Sequence, residues 1–389
     1  MKIPKLRFKE FSGEWEEKIL EQLCDDFIVP MRDKPKDLTG IIPWCRIEDF
    51  KGKYLSTSKS NQGVSKETVE EMNLKIFPID TLLVSCSANL GKCAIVKKEL
   101  ITNQTFIGLI PNKDTITIEY FYYLMTLQEK KLNLISTGTT ISYLSKDEFK
   151  NYKVLLSLNL QEQEKIADFL SSVDKKISIT EEKLNLFKEY KKGVMQKIFT
   201  QKLRFKDSNG NNYPDWEEKR LGDIANFLDE KRKPLKEKDR ELKQGVYPYY
   251  GSSGIIDYID SYLFDKELIL LSEDGANIVT RNSRICFLAK GKYWVNNHAH
   301  VIEGRKEINQ IFLCEYLENL DYKKLNTGTA QPKLNQEVCK NILINLPTLE
   351  EQEKIGDFLS SIDNKIENLS NKLENLKDFK KGLLQKMFI

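Results

Sequence analysis

Residues 159–199 read NLQEQEKIADFLSSVDKKISITEEKLNLFKEYKKGVMQKIF, and residues 348–388 read TLEEQEKIGDFLSSIDNKIENLSNKLENLKDFKKGLLQKMF. Over roughly 40 positions more than half are identical, a match too long for chance. A second pair lies upstream of each segment: LRFKEFSGEWEEKILEQL from Leu6 and LRFKDSNGNNYPDWEEKRLGDI from Leu203, which aligns Trp15 with Trp216. A third, weaker pair precedes the long segments, TGTTISYLS from Thr137 and TGTAQPKLN from Thr327. The chain is thus two copies of one unit, each a variable module followed by a nearly constant segment. The divisions are 1–158 (module one), 159–200 (helix one), 201–347 (module two) and 348–389 (helix two). Flanks that barely differ imply a shared geometry; modules that differ widely imply different contacts.

The constant segments have the spacing of a coiled coil. Ile166, Leu170, Val173, Ile177, Thr180, Leu184, Phe187, Val194 and Ile198 alternate in steps of four and three. Ile355, Leu359, Ile362, Ile366, Leu369, Leu373, Leu376, Leu383 and Met387 repeat the pattern. Such a/d heptads, sustained beyond three or four repeats, argue for a helical seam. Both seams are broken at one shared place, by Lys191 and Lys380. Asn159 with Glu162, and Thr348 with Glu351, have capping-box spacing. A helix of about 40 residues is about 60 Å long, and its apolar stripe needs a partner. The other copy is the obvious one, paired antiparallel with the modules at opposite ends; the alternative is that each helix packs on its own module. The C-terminal QKMF also matches QKIF of the first copy, which runs on into QKLRF, as the N-terminal KIPKLRF would continue it. The C-terminus is therefore expected beside the N-terminus.

The modules read as mixed α and β. A short apolar-periodic helix is expected after Trp15 and Trp216. Strands are expected at 81–84, 94–96, 268–271 and 285–288, and helices at 118–127 and 311–320. Polar turns SANLG (87–91) and EDGAN (273–277) lie between strands. Asn and Gln pair bidentately with adenine, Arg and Lys with guanine, although Asn and Gly also simply make turns. Catalytic motifs are missing: no P-loop, no G-x-G-x-x-G after a strand, no G-x-S-x-G and no Asn-Pro-Pro-aromatic. The only histidines, His298 and His300, share a strand face near Cys286, but no further ligand is spaced to complete a metal site. The stretch DEKRKPLKEKDRELK (229–243) is nearly charge-balanced and reads as a solvated loop or helix rather than a phosphate clamp.

Composition narrows the class. With 61 Lys+Arg against 58 Asp+Glu, the formal charge of +3 permits nucleic acid without announcing it. The seven cysteines are odd in number and never C-x-x-C, which reads as reduced thiols. No apolar run reaches the ~18 residues of a membrane span, and no apolar signal core follows Met1, so a cytoplasmic protein is expected.

The order of module, LQEQEKIADFLSSVDKKI, module and LEEQEKIGDFLSSIDNKI, with TGT-x-x-x-x-L before each helix, resembles the specificity subunit of type I restriction–modification systems over the whole chain. YYGSSGIIDY and EDGANI in module two add to it. The resemblance implies an α+β protein: two mixed α/β target-recognition domains in tandem, joined by two long helices in an antiparallel coiled coil with pseudo-twofold symmetry. It implies that each domain reads one half of a bipartite double-stranded DNA site, and that the helices set the unread spacer and bind two methyltransferase subunits. Restriction subunits join through that complex. Adenine N6 methylation and ATP-dependent cleavage then belong to partners, with S-adenosylmethionine, ATP and Mg bound there and no cofactor, metal or catalytic residue on this chain. By residue type and loop position, candidate DNA contacts are Ser85, Ser87, Asn89, Lys92, Asn103 and Gln104 in module one. Module two offers Tyr250, Ser252, Ser253, Asp274, Asn277, Arg281, Asn297 and His298. Thr137, Thr139, Gln331 and Lys333 flank the helices and are placed for phosphates. The competing readings are a coiled-coil scaffold joining two protein-binding modules, and a metal-assisted hydrolase using the Cys286/His298/His300 neighbourhood.

Overall fold

A computed structural model describes residues 3–87, 89–135, 144–328 and 331–388. The chain forms two compact units, 1–180 with 372–389, and 181–371. Each unit therefore holds one module, half of the first long helix and half of the second.

In the first unit, strand β1 (Leu82–Ser85) is buried at every position, and β2 (Phe106–Pro111) pairs with it antiparallel, Ser85 opposite Phe106. An unbroken apolar run buried on both faces is what a central strand requires. These two lie within a five-stranded sheet, with a three-stranded sheet beside it. Helix α1 (Ile118–Ile135) covers the sheet and leads, through a short helix and strand, into α2 (Leu160–Phe199). In the second unit β3 (Leu268–Ser272) is buried throughout and pairs antiparallel with β4 (Ala299–Gly304), Ser272 opposite Ala299. Helix α3 (Gln310–Asn319) covers this sheet, a second four-stranded sheet adjoins it, and α4 (Leu349–Met387) ends the chain.

The residues directly after Trp15 and Trp216 are strands, and the expected short helix follows each as a single turn, Leu20–Gln22 and Leu221–Ile224. Glu16–Ile19 pairs with Lys153–Leu156, and Glu217–Arg220 with Leu343–Leu346. Pairing with the strand just before each long helix takes the residues ahead of that turn and so shortens the helix.

Within each unit the long helices pack against each other antiparallel and against the module at once. Ile166, Leu170 and Val173 share a core with Trp15, Tyr120 and, from the far end of α4, Leu383 and Phe388. The Phe388 ring lies 6.0 Å from Trp15 and 5.2 Å from Tyr120. In the second unit Ile355, Leu359 and Ile362 share a core with Val194, Leu221 and Phe312, and the Phe199 ring lies 6.0 Å from Phe312. The first heptads thus serve the module cores as well as the seam. Leu184 is buried, while Ile177, Phe187, Ile366, Leu373 and Leu376 are half-buried.

The breaks in the heptads are ionic. Lys191 Nζ lies 2.7 Å from Glu315 and from both oxygens of Asp363. The equivalent Lys380 lies 2.6 Å from Asp174. The aspartate of each FLSSxD motif therefore receives the lysine of the opposite helix.

The EQ pair of each helix start knits helix to module. Glu162 and Glu351 are fully buried. Arg7 of the first LRF donates to both oxygens of Glu162 (2.7 and 2.8 Å), and Arg204 of the second to Glu351 (3.2 and 2.8 Å). Gln163 Nε2 donates to the carbonyls of Thr115 and Ser157, and Gln352 Nε2 to those of Glu307 and Pro347. Only half of each expected capping box forms: Asn159 Oδ1 accepts from Glu162 N at 3.1 Å and Thr348 Oγ1 from Glu351 N at 3.5 Å, while the glutamate carboxylates turn to arginine. The termini meet as expected. Leu6 N donates to Lys386 O (2.8 Å), just as Leu203 N donates to Lys197 O (3.0 Å) within the continuous chain.

Candidate nucleic-acid interface

Strand ends place the polar turns. In module one, β1 runs into the 86–92 turn and the 103–105 turn runs into β2. Cys86 N donates to Thr105 O (2.8 Å), and Leu144 N to Cys86 O (3.0 Å), so three segments meet at one edge. Module two repeats this bond for bond: Glu273 N donates to His298 O (2.9 Å), and Leu334 N to Glu273 O (2.7 Å). Cys86 therefore corresponds to Glu273, Thr105 to His298 and Leu144 to Leu334.

The edge exposes some of the candidates and spends others. Ser85 is buried, its hydroxyl donating to Asn89 O and accepting from Lys92 N, so it braces the turn. Asn89 and Lys92 are exposed and Ser87 is half-buried; Asn89 adopts a left-handed φ of 61°. Asn103 Oδ1 accepts from Thr105 Oγ1 at 2.6 Å, while Gln104 is exposed. Thr137 and Thr139 lie outside the described residues.

In module two Tyr250 is half-buried against Phe287 and Tyr293, and burial pushes its phenol pKa up. Its ring packs within the module. Ser252 and Ser253 form the turn of the Gln244–Gly251/Gly254–Ile259 hairpin; the buried Ser272 hydroxyl donates to Ser252 O, tying that turn to the edge. Asn277 folds inward, its amide bridging Ser283 N, Ser283 O and Arg284 O. Arg281 turns to α3, where it meets Glu318 at 3.1 Å. Asn297, His298, Gln331 and Lys333 are exposed, and Asp274 holds His298 Nδ1 at 2.7 Å. Lys333 reaches Glu273 at 3.3 Å.

Beneath this edge lies a network that spacing did not reveal. His300 is buried, with Nδ1 2.6 Å from Asp229 Oδ2 and Nε2 2.8 Å from Leu334 O. A carbonyl accepts only from N–H, and so does an ionised carboxylate, so both ring nitrogens carry protons. Burial is the largest single influence and lowers the basicity of His300, but the bond to Asp229, its charge and the adjoining Cys339 together outweigh it, and the pKa rises to about 10. For Asp229, burial opposes ionisation, and His300, Val301 N and Arg232 together hold its pKa below the usual value. Arg232 also contacts Glu273 at 2.6 Å, and Gln336 Nε2 donates to Asp229 at 2.8 Å. Asp229, Glu273 and His300 sit close enough to hold a cation. Yet the histidine is a donor on both sides and arginine already neutralises the carboxylates, so the donor set suits an ion network, not a metal. Cys286 lies elsewhere, its Sγ 3.9 Å from buried Cys314 Sγ. The 229–243 stretch is thus not merely solvated: Asp229 and Arg232, three residues apart, anchor it.

The edge therefore presents amides, a hydroxyl, an ammonium and an imidazole on braced turns, groups of the kinds that can hydrogen-bond to base edges and phosphates.

The family description "Type I restriction modification DNA specificity domain" matches residues 13–189 and 213–378. The MjaVIII specificity subunit of a type I restriction enzyme from Methanocaldococcus jannaschii is 28% identical over 92% of this chain and 90% of its own. A putative type I restriction enzyme specificity subunit from Haemophilus influenzae is 35% identical over 37% of this chain and 36% of its own. The crystal structure of the type I restriction-modification system S subunit from M. genitalium matches with a TM-score of 0.68 at 19% identity, covering 100% of this chain and 99% of the other, and shows the fold. With the repeat, the antiparallel helices and two matched domains together, the chain belongs to the type I restriction-modification DNA specificity family.

Proposed function

We propose that this chain is the DNA-reading subunit of a type I restriction–modification complex, in which each module recognises one half of a bipartite double-stranded site. The observation that carries the reading is the repeated edge: the same hydrogen-bonded frame, with different exposed side chains in each copy. One frame with two readers suits an asymmetric site whose half-site separation follows from protein geometry, at about 34 Å per DNA turn. The long helices set that separation. Their outer faces dock two methyltransferase subunits, and restriction subunits join through these. Adenine N6 methylation uses S-adenosylmethionine, and cleavage uses ATP and Mg, all on the partners; this chain contributes recognition, in the cytoplasm. No helix among the described residues is long and apolar enough to cross a membrane.

A net charge of only +3 implies that partners supply much of the phosphate grip, because nonspecific affinity grows with the number of phosphates neutralised. Methylation sequencing of a methylation-free host tests the function. Co-expression of this chain with its methyltransferase should create a bipartite N6-methyladenine motif that disappears when this chain is omitted. A stable co-purified complex without any motif would instead favour the protein-binding scaffold.

A further inference from the structure

We propose that Gln104 and Asn297 are equivalent adenine-reading amides, one per module. The inference rests on the DNA-reading proposal above and assigns specific readers to it.

The strand registers make the two positions equivalent. Ser85 faces Phe106 and Ser272 faces Ala299, so counting back two residues from each partner gives Gln104 and Asn297. The bonds Cys86 N to Thr105 O and Glu273 N to His298 O fix the same alignment from the neighbouring turn. In both modules the residue before is an asparagine spent on the turn: Asn103 Oδ1 accepts from Thr105 Oγ1 (2.6 Å), and Asn296 Oδ1 from His298 N (2.8 Å). The residue after, Gln104 or Asn297, is exposed, and its side-chain amide has no hydrogen-bond partner among the described residues. A braced asparagine followed by a free amide thus occurs twice, in modules whose sequences otherwise differ widely.

A carboxamide offers a donor and an acceptor side by side. The major-groove edge of adenine offers the matching pair, the N6 amino donor and the N7 acceptor, and no other base does. The braced turn limits the entropy lost when the amide docks, which favours discrimination over mere adhesion. Gln104 reaches one methylene further than Asn297, so the two modules approach their bases at different depths.

The test is Gln104→Ala and Asn297→Ala, each in the full chain co-expressed with the methyltransferase, read by methylation sequencing. Gln104→Ala should relax a single A·T position in one half-site, with discrimination there falling roughly 5- to 150-fold, the size of one bidentate pair. The other half-site should stay intact. Asn297→Ala should do the same in the opposite half. The salt dependence of DNA binding by the purified complex should not change, because no phosphate contact is removed. An unaltered motif in both variants, or relaxation at a G·C position, would overturn the assignment while leaving the DNA-reading function standing. Absence of any bipartite motif with the unsubstituted chain would overturn both.

Discussion

His300 shows what a single residue contributes beneath the exposed edge. Its ring joins β4 to Asp229 and to the Leu334 carbonyl, and both bonds need the imidazolium. The folded pKa of about 10 stands above the unfolded value of about 6.5. The folded state then holds a proton that the unfolded state releases between those values. The stabilisation is therefore complete below about pH 6.5 and lost as pH rises through about 10. Replacing His300 with Gln should cost about 2 kcal/mol at pH 6, the size of a charge-assisted hydrogen bond. The gap between wild type and variant in denaturant unfolding should close toward pH 10; a gap independent of pH would show that the ring is neutral. The sequence made the exposed partner of this site, His298, legible as a polar turn residue. It hid the buried one, because the carboxylate that charges His300 lies 71 residues away. The same distance effect explains Arg281 and Asn277. Both look like readers by type, and both are claimed by Glu318 and by the 283–284 backbone.

At the scale of elements, the long helices were legible because heptads are local, and the shared lysine breaks were legible as breaks. Their partners were not. Lys191 sits between Asp363 and Glu315 with only 10% of its side chain exposed, whereas Lys380 and Asp174 are 23% and 25% exposed. Removing one member of a buried pair leaves an uncompensated charge, and more exposed pairs are screened. Lys191→Met should therefore cost about 3 kcal/mol and Lys380→Met about 1 kcal/mol or less, measured by denaturant unfolding. Equal costs would mean that burial does not set the strength of these locks. The short helices expected after the tryptophans are cut to one turn for a related reason. Leu20 and Leu23 bound a genuine helical turn, but the strand that recruits Glu16–Ile19 and keeps the helix from starting earlier begins at Lys153.

For the whole molecule, the repeat was the most legible feature, since identity between copies needs no structure to detect. It extends to the junctions: the noncovalent bond from Leu6 to Lys386 has its covalent-chain counterpart at Leu203 and Lys197. In the proposed function each module reads its half-site independently on a common frame. The most direct measurement is methylation sequencing of a chain in which residues 201–347 are replaced by residues 4–158, co-expressed with its methyltransferase. Module one already packs on the conserved helix residues through the same EQ and LRF contacts, so the frame should accept it. The expected result is a motif with the same half-site on both sides of the original spacer. Retention of the asymmetric motif, or two half-sites that both differ from module one's own, would show that the modules do not read their half-sites independently.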